Sequence, residues 1–115
     1  MNTVKVYHAN SENDRDFMLQ LGFKRGEDLV EVVKANLDKY TKVADVDTTA
    51  VKLGDILERA YSRTNSYELP WYKDYRNGAT AQATKGCRST SIGDVLEFAG
   101  TRYVVDGVGF AVLED

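Results

Sequence analysis

RSTSIGDVLEFAGTRYVVDGVGFAVL, residues 88–113, is the longest stretch of this sequence in which every local signal favours the same structure. Its short apolar runs are interrupted twice, by Ala99-Gly100 and by Asp106-Gly107. Strand-forming runs that are separated by two-residue turn signals are typical of β-hairpins. The stretch therefore predicts an antiparallel β-meander of three short strands.

Upstream of the meander, residues 1–65 predict a mainly helical half. Alternating apolar residues indicate strands at Thr3–Ala9 and Thr41–Thr49, and apolar stripes at helical spacing begin near Asp16, Gly26 and Leu53. These elements follow the order β-α-α-β-α. We therefore expect an α+β fold, in which this N-terminal half and a C-terminal three-stranded antiparallel meander share one sheet, with helices mainly on one face.

Capping signals predict where the first two helices begin and end. Ser11 or Asn13 is placed to cap the first helix, and Gly22 is placed to end it in a left-handed conformation. The second helix opens with acidic residues after Gly26, which is favourable at the positive end of the helix dipole. Its apolar stripe continues to Tyr40, so we expect the helix to extend that far.

Two segments of ten residues begin with almost the same letters, LGDILERAYS from Leu53 and IGDVLEFAGT from Ile92. In the first segment apolar residues return at Ala60 and Tyr61, which continues a helical stripe. In the second segment Ala99-Gly100 interrupts the pattern after a short run. We predict that the first segment is a helix and that the second is a strand.

Length and composition predict a single domain over residues 1–115. A hydrophobic fraction of 43% and a charged fraction of 29% are typical of a globular protein. Within it we expect the mainly helical half at 1–65, an aromatic and basic loop at 66–87, and the meander at 88–115. No apolar run approaches the ~20 residues that cross a bilayer, and the first residues lack a secretory pattern. We therefore expect a cytoplasmic protein with no membrane partner.

Few residues of the types needed for catalysis are present. Cys87 is the only cysteine and His8 is the only histidine, which excludes an internal disulfide, a cysteine zinc cluster and a multi-histidine metal site. The hydroxyls of Ser89–Ser91 have only His8 as an activating base of the usual type. We predict that the protein is not an enzyme.

The carboxylates near the meander are interpreted as strand and turn residues. Asp94 and Glu97 fall on opposite faces if the strand is regular, and Asp106 precedes a glycine in a turn. A carboxylate-only magnesium site, through these three or through Asp45 and Asp47, is the one route left open to metal chemistry. We expect no metal and no cofactor.

A basic segment lies between two acidic parts of the chain. Residues 59–88 carry six Lys or Arg residues against two acidic residues, whereas the parts before and after have net charges of −3 and −4. The candidate binding surface in this segment consists of Arg59, Arg63, Tyr67, Trp71, Tyr72, Lys73, Tyr75 and Arg76. These residue types suit a cover for the core, anchors of a protein interface or a platform for nucleic acid. The acidic flanks favour a protein over nucleic acid.

The pattern S-x-S-I-G-D-V-L-x-x-x-G-x-x-Y-x-V-x-x-x-G-F-x-x-L, at Ser89 to Leu113, resembles the C-terminal module of small accessory proteins of bacteriophages and other mobile elements, the YodL-like proteins. Upstream, AYSRTNSYELPWYKD at Ala60 to Asp74 is similar to a segment of actinobacterial phage members. The resemblance implies a protein made in a bacterial cytoplasm from a phage genome, and it implies no activity.

These observations together favour a non-enzymatic accessory protein of phage origin that binds a host or phage protein. The alternative is an accessory protein that binds nucleic acid through the basic aromatic segment at residues 59–88.

Overall fold

In the computed structural model the described residues are 1–9, 14–65, 79–81 and 88–113. They form one antiparallel sheet with the strand order β3-β2-β1-β4-β5-β6, together with three α-helices, which confirms the predicted α+β fold. The elements are β1 (Asn2–Ala9), α1 (Arg15–Phe23), α2 (Gly26–Ala35), a 3-10 turn (Leu37–Lys39), β2 (Tyr40–Thr48), α3 (Leu53–Arg63), β3 (Ala79–Ala81), β4 (Val95–Phe98), β5 (Thr101–Val105) and β6 (Phe110–Leu113).

The predicted meander is formed by β4, β5 and β6, which pair in chain order. Its first connection is a two-residue turn in which Ala99 and Gly100 have φ values of 52° and 82°, the left-handed pair that tight hairpins require. Its second connection is a four-residue loop, because Val105 pairs with Phe110. The expectation of a two-residue turn at 106-107 was therefore wrong. Gly109, with φ 70°, takes the left-handed position, and the Asp106 N–H donates to its carbonyl at 3.1 Å.

The strand β1 lies in the middle of the sheet and joins the two halves of the chain. It pairs with β2 through contacts such as Val4 with Val46, and with β4 through Val6 with Leu96. The strand β3 was not predicted: residues 66–87 were interpreted as a loop, whereas Ala79–Ala81 pairs with β2 at one edge. Three residues of small and polar type give too short a pattern to indicate a strand.

The helices cover both faces of the sheet. Two of the three, α1 and α2, pack on one face, where Phe17 and Leu29 meet Val95 and Val104. On the opposite face α3 packs against another cluster, in which Ile56 meets Leu96. Neighbouring residues of a strand point to opposite faces, so each of the central strands contributes to both cores. This arrangement explains why the meander strands are apolar almost continuously.

Two predicted helix ends differ from the structure. The helix α1 continues through Gly22 to Phe23, so Gly22 does not end it, and its N-cap is Asp14, whose carboxylate accepts the Phe17 N–H at 2.9 Å. Ser11 and Asn13 lie outside the described residues. The helix α2 ends at Ala35, so the expectation that it extends to Tyr40 was wrong: Asn36 leaves the helical conformation and Tyr40 begins β2.

Candidate binding surface

The structure describes two members of the predicted binding surface. Arg59 and Arg63 both lie on α3, with Arg59 exposed and Arg63 partly buried. The other six members, Tyr67, Trp71, Tyr72, Lys73, Tyr75 and Arg76, lie outside the described residues. Their grouping with Arg59 and Arg63 stays a prediction.

An ion pair between a buried carboxylate and a partly exposed arginine, Arg88, lies where β1 meets the turn before β4. The side chain of Asp94 is 1% exposed, and the Arg88 guanidinium donates to its two oxygens at 2.6 and 2.7 Å. The same carboxylate accepts the backbone N–H groups of Ala9 at 3.0 Å and Ser91 at 2.8 Å. The hydrogen bonds that Arg88 donates to Asp94 raise the pKa of Arg88. This carboxylate is thus saturated by donors and holds two chain segments together.

His8 begins a chain of hydrogen bonds that ends in α3. Its Nε2 lies 2.8 Å from the Thr90 hydroxyl, which donates to the Thr64 hydroxyl at 2.6 Å, which in turn donates to the Ala60 carbonyl at 2.8 Å. Each hydroxyl has one proton to give, so Thr90 accepts its bond from the Nε2–H of a neutral His8. Burial lowers the pKa of His8 from 6.5 to about 4; Asp94 opposes this and Arg88 adds to it.

The direction of this chain bears on catalysis. Thr90 carries one of the three hydroxyls, in Ser89–Ser91, that only His8 could activate as a base. The His8 side chain does lie within hydrogen-bond distance of the Thr90 hydroxyl. However, a base must accept the proton of its nucleophile, and here His8 is the donor while the Thr90 proton is directed to Thr64. The geometry therefore fits a structural bond.

The Tyr40 hydroxyl donates a hydrogen bond to the Gly93 carbonyl, in the turn just before Asp94. Burial raises the pKa of Tyr40.

The three carboxylates near the meander are not brought together. Glu97 lies on the sheet between Lys5, at 3.6 Å, and Arg102, at 3.4 Å. Asp106 accepts the N–H of Gly26 at 3.0 Å. Since Asp94 is buried against Arg88, each carboxylate has a different surrounding and a different partner.

The second carboxylate pair considered for magnesium is also engaged by side chains of the sheet. Asp45 forms an ion pair with Lys42 at 2.9 Å, and Asp47 accepts a hydrogen bond from the Thr3 hydroxyl at 2.6 Å. Within the described part of the chain, no group of three or more His, Cys, Asp or Glu side chains is placed to hold a metal ion.

An exposed surface with apolar side chains lies where α2 meets the meander; we call residues 23–34 and 106–113 the α2–β6 face. Its two segments are joined by the bond from Gly26 to Asp106. The Arg25 side chain also lies so close to Gly107 that a Cβ there would be 3.2 Å from its Cδ and Nε. Phe23 is 80% exposed and Val108 is 95% exposed on these segments. Val112 of β6 is 49% exposed, and its side chain points to the sheet face opposite α2.

A groove of about 570 Å³ runs along the α2–β6 face between the helix and the strand. Its charged lining comes from α2, as Glu27, Asp28, Glu31 and Lys34, and its floor includes Ala111 and Val112 of β6. Sequence reasoning missed this groove because it assigned Glu27 and Asp28 only to the helix dipole. Its position depends on which strand lies at the edge of the sheet, and no local pattern indicates that.

Two further findings limit the assignment. No helix in the described ranges is long and apolar enough to span a membrane. The resemblance of residues 89–113 to YodL-like proteins stays a prediction, because no family model, no curated protein and no solved structure matches this chain.

Proposed function

We propose that this protein is a non-enzymatic accessory protein of phage origin, which binds a host or phage protein in the bacterial cytoplasm through the α2–β6 face. The observation that carries the proposal is the exposure of Phe23 and Val108, which lie three residues before Gly26 and two residues after Asp106, the two residues whose hydrogen bond joins the segments. Large exposed apolar side chains on adjoining segments are typical of interaction surfaces.

The make-up of this face supports a protein as the partner. An aromatic side chain at the centre of an interface can contribute a large share of the binding energy, and a polar rim excludes water around it. Phe23 supplies the aromatic group, and Glu27, Asp28 and Lys34 supply charged neighbours in the same segment. The two segments are also joined directly, since the Asp106 carboxylate in the β5–β6 loop accepts the N–H of Gly26 at the start of α2.

The test is affinity capture from a lysate of phage-infected bacteria with the wild type and three variants. Phe23→Ser and Val108→Ser should each lose the same captured protein, because each removes an exposed apolar contact. Val51→Ser is the matched control, since Val51 is 87% exposed in the connection before α3. It should retain the partner. Capture that all three variants preserve would remove the α2–β6 face as the binding surface.

Three additional variants separate this proposal from the surface that the sequence predicts. Loss of the partner on Trp71→Ala, with Phe23→Ser unaffected, would move the interface to the aromatic segment. Nucleic acid would be the ligand instead if the captured molecule is lost on nuclease treatment and at raised salt concentration. It should then also be lost on Arg59→Ala or Arg63→Ala.

A further inference from the structure

The strand β6 is the outer strand of the sheet among the described strands, and its backbone orientation can be deduced. The Val105 N–H donates to the Asp94 carbonyl at 2.9 Å, and the Val105 carbonyl accepts from Gly93 at 2.8 Å, so Val105 directs its backbone toward β4. Successive residues of an antiparallel strand direct these groups to opposite sides. Val104 therefore faces β6, its pair Ala111 faces β5, and Val112 directs its N–H and C=O away from β5.

The two sides of this edge differ in chemistry. Ala111 pairs with Val104 and so points to the face that α2 covers, whereas Val112 pairs with Tyr103 and points to the opposite face. A strand added along β6 would alternate its side chains in the same way. One set would lie in the groove beneath α2, and the other set would lie beside Val112.

The groove beside α2 has a net negative charge. Glu27, Asp28 and Glu31 line it against the single amine of Lys34. Carboxylates at the rim of a groove favour cationic side chains and raise the rate at which a basic partner associates. The side next to Val112 offers an apolar contact, because that side chain is 49% exposed.

We propose that the α2–β6 groove takes an extended peptide segment in which basic and apolar residues alternate, added antiparallel along β6. Its basic side chains lie beneath α2 near the three carboxylates, and its apolar side chains lie beside Val112. Main-chain hydrogen bonds to Val112 provide the attachment, as in other cases of strand addition. This inference rests on the proposed function, since it names the chemistry of the partner segment at the same face.

The probe is a blocked hexapeptide in which lysine alternates with valine, titrated into the isotope-labelled full chain and followed by amide shifts. Shifts are expected at residues 110–113 and 26–34. The affinity should fall several-fold between about 0.05 and about 0.3 M salt, because exposed charge pairs are screened. The matched peptide, in which glutamate replaces lysine, should bind at least about tenfold more weakly.

Two controls test the hydrogen bonds and the charges separately. Methylation of the backbone amide nitrogens of the valines removes the N–H groups that face β6, and should weaken binding by about tenfold or more. Methylation of the backbone amide nitrogens of the lysines affects N–H groups that face away from β6, and should leave the affinity nearly unchanged. On the protein, Glu27→Gln with Glu31→Gln should weaken binding several-fold, whereas Asp55→Asn in the first turn of α3 should not.

Several results would overturn the inference. One is that the lysine and glutamate peptides bind with equal affinity. Another is that both methylated peptides lose the same amount of affinity, and a third is that the amide shifts are confined to residues outside the α2–β6 face. Concentration-dependent shifts of β6 without peptide would identify a second copy of this chain as the occupant. If the peptide fails while a captured partner still depends on Phe23, the proposed function stands and strand addition does not. If the peptide binds but no partner is captured, strand addition at β6 stands and the proposed function does not.

Discussion

Leu53–Ser62 and Ile92–Thr101 begin with almost the same residues and fold in different ways. The first segment forms most of α3, and the second forms the turn before β4, the strand itself and the hairpin turn after it. Some corresponding apolar residues are buried in both segments, as with Leu57 and Leu96, whereas the corresponding glycines, aspartates and alanines have different surroundings. The comparison teaches that a shared sequence pattern does not fix a structure, and that each glycine, aspartate and alanine has the role its tertiary contacts give it.

The glycines illustrate this difference most directly. Gly54 lies in α3, and a Cβ there would meet no atom within 4 Å. Gly93 has φ 93°, and a Cβ there would be 2.9 Å from a methyl group of Leu21. The first position accepts any helix-forming residue, whereas the second requires glycine for its backbone angle and for its space.

The largest expected difference in stability is between substitutions of Asp55 and Asp94, which occupy corresponding positions in the two segments. Asp94→Ala leaves two backbone N–H groups without their acceptor, and should lower the free energy of unfolding by about 3–5 kcal/mol. The Arg88 guanidinium contributes less to this loss, because its side chain is 38% exposed and reaches water. Asp55 is exposed in the first turn of α3, so Asp55→Ala should change it by only about 0.5 kcal/mol. Urea unfolding of both variants measures the difference. Equal losses would show that Asp94 is not the buried partner described above.

Next in size is the pH dependence of the hydrogen bonds from His8 through Thr90 to Thr64, two threonines that lie just outside the two segments. The pKa of His8 is lowered to about 4 by burial, against 6.5 in an unfolded chain. The folded protein therefore binds fewer protons, so the stability due to neutral His8 is complete above pH 6.5 and is lost as the pH falls toward 4. The loss should reach about 3 kcal/mol at pH 4.

His8→Gln is the control for this prediction, because the amide nitrogen can replace the Nε2 donor without titrating. The other acidic groups titrate in both proteins, so the difference between their unfolding free energies isolates His8. His8 is also the only histidine, so its NMR titration gives the pKa directly. A value at or above 6.5 in the folded protein would contradict the buried donor.

Substitution of the two glycines should give effects of opposite sign. Gly93→Ala strains a left-handed residue and forces its Cβ against Leu21, so we expect a loss of about 2–3 kcal/mol. Gly54→Ala should instead add about 0.5–1 kcal/mol, because alanine favours a helix and has space there. Thermal unfolding of the two variants decides this, and a stabilising Gly93→Ala would refute the contact with Leu21.

The smallest expected effect comes from the two alanines. Ala99 has φ 52° in the hairpin turn, so Ala99→Gly should raise the free energy of unfolding by about 0.5–1 kcal/mol. Ala60 is fully buried in α3, so Ala60→Gly should lower it by about 1–2 kcal/mol. Denaturant midpoints of the two variants give the signs, and a shared sign would show that the two positions have the same conformation.

The sequence predicted the conformation of these two segments because their later residues differ. Ala60 and Tyr61 continue a helical stripe, whereas Ala99-Gly100 supplies a turn. The α+β class and the meander followed from the same local periodicities. The central position of β1, the short strand β3 and the placement of α3 opposite α1 did not, because each depends on pairing between residues far apart in the chain.

The candidate binding surface was less predictable than the fold. Arg59 and Arg63 lie within α3, the helix that the apolar stripe from Leu53 predicts. The α2–β6 face was missed because Phe23 and Val112 look like ordinary core residues in an apolar pattern. Their exposure follows from the end of α1 and from the edge position of β6, which only the assembled sheet determines.

The central position of β1 also has a consequence for how the chain folds during synthesis. The ribosome makes β1 first, but its partner on one side, β4, includes Leu96, ninety residues after Val6. Until β4 emerges, β1 is an open edge that carries Val4 and Val6, and such edges pair readily with other chains. Contacts between residues so far apart also slow folding. That edge of the nascent chain thus stays open until β4 has been made, and a product that terminates before residue 95 keeps the edge exposed.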